Sequence, residues 1–122
     1  MIIEVIDTET LLIDIHRDLS VTTRRRIPGP PQRMDGMTIG VVGMSAHDSS
    51  PHNGEMHPDG DEILYLITGR VQISYDSGDQ PLELNSGQAC IVPKGEWHRI
   101  DCLEDAQLVH ITPGPQGEVR FA

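Results

Sequence analysis

Positive charge, aromatic rings, cysteine and long apolar runs are all scarce in this chain of 122 residues. Nine Lys and Arg stand against nineteen Asp and Glu, a formal net charge of −10. Nucleic acid is held by clustered cations on phosphate, so this balance argues against it as a partner. It disfavours docking on an anionic membrane surface for the same reason. One Trp, two Tyr and one Phe offer no surface for stacking bases. The two cysteines, Cys90 and Cys102, are too few to staple a small secreted scaffold. They would approach each other if residues 88–102 form a hairpin, but two reduced thiols are expected. No apolar run nears the roughly 18 residues of a spanning helix, and no charged-then-apolar signal opens the chain. A soluble, cytoplasmic protein is expected.

Glycine and proline, by contrast, are plentiful, with twelve and nine residues. They punctuate short runs rich in Ile, Val, Leu and Thr, and few stretches sustain a helical period. That is the pattern of an all-β sandwich or barrel. Strands are expected over Ile2–Ile6, Leu11–His16, Met37–Ala46, Ile63–Ile67, Val71–Tyr75, Pro81–Leu84, Gln88–Val92, His98–Cys102 and Gln107–Thr112. Turns are expected at Thr68-Gly69-Arg70, Asp76-Ser77-Gly78-Asp79 and Pro93-Lys94-Gly95. Arg24-Arg25-Arg26-Ile27-Pro28-Gly29-Pro30-Pro31 reads as an extended arm, solvated or laid against an acidic surface. One domain is expected over residues 1–122, with N-terminal strands and arm in 1–36 and a barrel core in 37–114.

Two stretches carry the chemistry. In the first, His57, Glu62 and Gly69 are separated by four and then six residues. In the second, Gly87, Pro93, Gly95 and His98 are separated by five, one and two. At average Gly and Pro usage, the Gly-Pro-Gly spacing alone arises at about two in ten thousand start positions. The further matches make coincidence a poor explanation.

Together the two stretches resemble the paired motifs of the cupin superfamily, G-x5-H-x-H-x(3 or 4)-E-x6-G and G-x5-P-x-G-x2-H-x3-N. They depart from the pattern at Glu55, where the first motif has its first histidine, and at Cys102, where the second ends on Asn. The resemblance implies a double-stranded β-helix of the jelly-roll type, with the N-terminal strands extending its sheet. It also implies that His57, Glu62 and His98 point into one barrel mouth and hold a divalent metal, with Glu55 as fourth ligand. Residues 55 and 57 share a face of an extended segment, so Glu55 has the geometry to join them. If Glu55 stays free of the metal it is the candidate general base. A ligand set rich in carboxylate favours Fe or Mn, with Zn or Ni as alternatives.

Of the remaining histidines, His110 shares strand parity with Leu108 and Thr112 and is expected to face the interior. His52 and His47 are candidates for the mouth, and Trp97 for the pocket rim. Leu64 and Leu66 share the parity of Glu62 and are expected inside, with Tyr65 outside. The expected activity is that of a small metal-dependent enzyme, dioxygenase or isomerase/lyase in type, acting on a small polar substrate chelated at the metal. The alternative is a barrel that binds a small ligand without turning it over. Exposed sheet edges point to a homodimer.

Overall fold

The computed structural model describes residues 2–29, 32–48, 50 and 52–121. Pro30 and Pro31 of the arm lie outside the described residues. Nine strands and no helix are present among them: β1 Leu11–His16, β2 Val21–Arg25, β3 Gly36–Met44, β4 Glu55–Met56, β5 Glu62–Tyr75, β6 Leu82–Asn85, β7 Ala89–Val92, β8 His98–Gly114 and β9 Glu118–Val119.

Two long strands organise the molecule. β5 and β8 run antiparallel along each other from Ile63↔Ile111 to Tyr75↔His98, with register shifts between Leu66 and Val71. The first half of β5 pairs with β7 on its other edge, and the second half with β6. The Gly114 end of β8 pairs with β3, and the His98 end with β4. Each long strand therefore belongs to both layers: β2-β1-β3-β8-β5-β7 forms one, and β9-β4-β8-β5-β6 the other. This is the jelly-roll barrel expected from the sequence.

The bend that divides the layers explains why one expected turn is not a turn. Thr68-Gly69-Arg70 lies inside β5 as an irregularity, and it joins the two runs expected as separate strands. Gly69 adopts φ +92°, and a Cβ there would lie 2.3 Å from the Asp105 carbonyl oxygen. Glycine is required by both backbone conformation and space. His98–Cys102 and Gln107–Thr112 likewise fuse into β8.

Alternation within the strands builds the core. Leu64, Leu66, Val71, Ile73, Leu84, Val92, Ala106 and Leu108 are buried together, with Val42, Met44, Cys90, Ile100 and Cys102 packed against them. Tyr65 faces outward as expected. Cys90 and Cys102 are both free thiols. The hairpin that would have joined them does not form, because β7 and the facing stretch of β8 take opposite edges of β5.

Ile2–Ile6 forms no strand. Its composition suits one, but a strand exists only by backbone pairing, and Ile2, Ile3 and Val5 remain fully exposed. The strand β2 was hidden by its charge. Arg24 and Arg25 belong to it rather than to an arm, and Arg24 bonds Asp14 on β1 at 2.7 Å, so the acidic surface it meets is its own. β4 and β9, two residues each, escaped notice because alternation needs more residues to register.

Candidate metal centre

Four side chains from three strands and one loop converge at the end of the barrel where β5 begins and where both ends of β8 arrive. Glu55 sits on β4 directly opposite His98, the first residue of β8. His57 follows two residues after Glu55 and shares its side. The Pro93–Gly95 turn is tied to it: Gly95, at φ +82°, donates its N–H to the His57 carbonyl at 3.0 Å. Glu62 opens β5. Each of Glu55, His57, Glu62 and His98 offers one ligand atom, all within 4.8 Å of one another, and the four form a group able to hold a metal ion.

Burial is deep for three of the four. The side chains of His98, Glu62 and His57 are 0%, 2% and 6% exposed, and that of Glu55 is 22% exposed. Glu55 therefore marks the open side. His98 Nε2 lies 3.0 Å from Glu62 Oε1 and 3.5 Å from Glu55 Oε1. His57 Nε2 lies 3.3 Å from Glu62 Oε2 and 3.5 Å from Glu55 Oε1.

Two features fit a metal in particular. Both ring nitrogens of His57 are buried with no well-formed hydrogen bond among the described residues. A buried polar atom left without a partner is costly, and a cation among these oxygens would satisfy Nε2. In addition, His98 Nδ1 lies 3.1 Å from the Glu96 carbonyl, which can only accept. The proton of neutral His98 is thereby placed on Nδ1, and Nε2 is left bare towards the cluster.

The electrostatics describe the same centre holding protons. Burial alone would raise the Glu55 carboxyl, but the imidazoles of His57 and His98 override it and hold it well below the usual range. Glu62 is likewise brought down to about 2 against its own desolvation. Burial opposes charge on His57 and His98, yet the two carboxylates raise them to about 9 and about 10. Two imidazolium charges thus stand where a divalent ion's charge would stand.

Behind the cluster, Thr112 Oγ1 lies 2.6 Å from Glu62 Oε2 and 2.8 Å from His110 Nδ1. His110 faces inward as its parity implied. Burial, then the charge of Arg33, lowers it to about 4, so it is neutral. Gly40 makes the room: a Cβ there would lie 2.3 Å from His110 Nε2.

The other candidates separate. His52 Nε2 comes within 3.7 Å of Glu55 Oε2 while its Nδ1 accepts the Gly54 N–H, so it flanks the carboxylate. His47 sits exposed in the turn after Met44, and Met44 pairs with Ala106, six residues along β8 from Thr112. It stands at the opposite end of the barrel from the cluster. Trp97 alternates away from His98 and packs beneath the Arg120 guanidinium, 4.7 Å from its ring centroid. Sequence reasoning missed Thr112 as a partner of Glu62, although its parity with His110 was visible. It also missed Arg33.

The description "Cupin domain" matches residues 40–112, more than half of the chain. The chain belongs to the cupin family. No curated protein sequence matches it. Among solved structures, a cupin-2 domain protein from Shewanella frigidimarina NCIMB 400 is similar at 26% identity and a TM-score of 0.52, over 67% of this cupin and 74% of that chain. A protein from Neisseria meningitidis is similar at 20% identity and a TM-score of 0.54, over 67% and 79%. Bacillus subtilis oxalate decarboxylase, described with Mn(II) centres, is similar at 15% identity and a TM-score of 0.56, over 70% of this cupin and 24% of that longer chain. The last two likenesses concern the fold alone.

Proposed function

We propose that this cupin is a metal-dependent enzyme acting on a small polar molecule chelated at a divalent ion held by Glu55, His57, Glu62 and His98. The observation that carries the reading is the convergence of four ligand atoms within 4.8 Å of one another around a buried His57 whose ring nitrogens lack a well-formed hydrogen bond among the described residues. An ion there would supply Lewis acidity and a template for oxygen donors. Two carboxylates beside two imidazoles favour iron or manganese over softer-site metals. The Mn(II) centres of the oxalate decarboxylase of similar fold agree with this preference.

The protein's own residues divide the work. Glu62 is fixed by Thr112 and His98, so it holds position. Glu55 is the more accessible carboxylate. As a ligand it completes the set; displaced from the ion, it is placed to take a proton from a bound substrate. Proton transfer with isomerisation or elimination follows with a redox-inert ion, and dioxygen chemistry with Fe(II).

We also read the molecule as a homodimer. Ile13, Ile39, Ile111, Ile63 and Ile91 are register partners in one row across β1, β3, β8, β5 and β7. Ile63, Ile67, Tyr65 and Ile91 are exposed on that outer face. An apolar row of this breadth favours burial against another copy.

Elemental analysis of the purified chain tests the metal reading. About one equivalent of Fe or Mn, lost in His98→Ala, supports it. No uptake of Fe, Mn, Ni or Zn on reconstitution overturns it. Tight binding of a candidate substrate with no consumption over hours would make the cupin a binder rather than an enzyme.

A further inference from the structure

One cation stands inside the barrel mouth without a partner. Arg33 lies on the segment between β2 and β3, and its Nη1 is buried with no hydrogen-bond acceptor among the described residues. Its Cβ is seated against Gly114, just beyond Thr112. A Cβ added to that glycine would lie 2.7 Å from Arg33 Cβ. Burial pushes the guanidinium below its usual value, and the charges of Glu55 and Glu62 in the candidate metal centre oppose it most. Arg33 also acts on His110. Yet no ion pair within 4.0 Å joins Arg33 to any carboxylate among the described residues; Arg24 instead satisfies Asp14.

The buried carboxylate of Asp14 is already taken by Arg24, and Arg33 Nη1 is left buried without an acceptor among the described residues. A guanidinium is not deprotonated at any ordinary pH, so it needs an anion. Its planar fork matches a carboxylate through two parallel N–H···O bonds.

We infer that Arg33 is the seat for the carboxylate of a small substrate whose other oxygen donor reaches the metal centre beside Glu55. This inference rests on the proposed function for the second contact only. The first contact, between guanidinium and carboxylate, is made by Arg33 itself and needs no metal. A small monocarboxylate that carries a second oxygen donor is the class that makes both contacts. A neutral molecule of the same shape would leave the guanidinium buried and unpaired.

The test uses the full chain, metal-free and loaded with Zn²⁺, titrated by calorimetry with glycolate, its neutral isostere glycolamide and inorganic phosphate. Arg33→Met and Arg33→Lys are compared with the wild type. Glycolate should bind at least about tenfold tighter than glycolamide, and Arg33→Met should erase that preference while metal content stays unchanged. Arg33→Lys should recover part of it, as a point charge without the fork. In wild-type chain labelled with ¹⁵N, the Arg33 side-chain Nε–H resonance should shift on adding glycolate. A preference that survives Arg33→Met overturns the inference, as does phosphate binding tighter than glycolate. If no metal binds but the Arg33-dependent preference persists in the metal-free chain, the metal reading falls and the carboxylate seat stands. If metal binds and neither form shows the preference, the seat falls alone.

Discussion

Thr112 gives its hydroxyl hydrogen to Glu62, with 2.6 Å between the oxygens. A carboxylate can only accept, so the hydroxyl's single hydrogen is committed there. The contact of 2.8 Å with His110 Nδ1 must then run the other way, with Nδ1–H donating to Thr112 Oγ1. One threonine thus fixes both the orientation of a candidate ligand and the tautomer of a neutral histidine.

Thr112→Val keeps the shape and removes both contacts. Glu62 and His110 each lose a buried partner, and loss of such outer contacts usually weakens metal binding by about 10–100-fold. Competition with a metal-chelating dye should show that drop. Unfolding in urea should show a stability loss of about 1–3 kcal/mol. Unchanged metal affinity would place Glu62 outside the coordinating set.

Removing a ligand outright should act more strongly. Glu62→Gln retains size but loses charge in a site where the side chain is 2% exposed. Its metal content should fall to background, while Glu55→Gln, at the open side, should retain part of it. Equal metal content in wild type and Glu62→Gln would be contrary to the proposed set.

The pH dependence separates the metal-free and loaded forms. In the metal-free chain His57 and His98 titrate near 9 and 10, above the roughly 6.5 of unfolded histidine. The folded chain therefore holds more protons than the unfolded chain above pH ~6.5, and stability falls as pH rises from there. The full benefit of these contacts is present below that pH and is lost through 9–10. On the acid side, Glu62 keeps its contribution above its usual range and loses it as pH falls through about 2. Thermal unfolding of the metal-free chain should thus move to lower temperature between pH 7 and 10. The loaded chain, with both imidazoles already neutral, should be nearly level over that range. Metal uptake at pH 7 should release protons, up to two per ion, measurable with a pH indicator in weak buffer.

The isoleucine row gives a prediction about assembly. Ile63 lies in it between Ile111 and Ile91 and faces away from the core. Ile63→Lys would set like charges against each other across a two-fold interface. Light scattering at micromolar concentration should show a dimer for the wild type and a monomer for the variant, with unchanged circular dichroism. A monomeric wild type would refute the dimer.

Gly69→Ala tests the bend of β5. An L-residue at φ +92° carries a penalty of roughly 1–2 kcal/mol, and the Asp105 carbonyl must also move aside. A loss of stability at least that large is expected in urea unfolding, and none would mean that the bend relaxes freely.

Much of this molecule was legible in its amino-acid order. The β class and the inward parity of Leu64, Leu66 and His110 follow from short-range spacing, whereas the convergence of Glu55, His57, Glu62 and His98 was what the resemblance to cupins implied. Spacing is local information: two residues apart in a strand means the same face, and a Gly-Pro-Gly turn fixes where the next strand starts. Pairing is not local. Whether Ile2–Ile6 finds a neighbour, whether Cys90 and Cys102 meet, and on which side of β5 each strand docks depend on contacts between distant segments. Tertiary structure alone decided that His47 stands at the far end and that Trp97 turns to Arg120. It alone brought Arg33, from a segment with no motif, to the mouth where two carboxylates and a neutral histidine already sit. Charge acts through space rather than along the chain, so a lone arginine acquires its meaning only when the barrel closes around it.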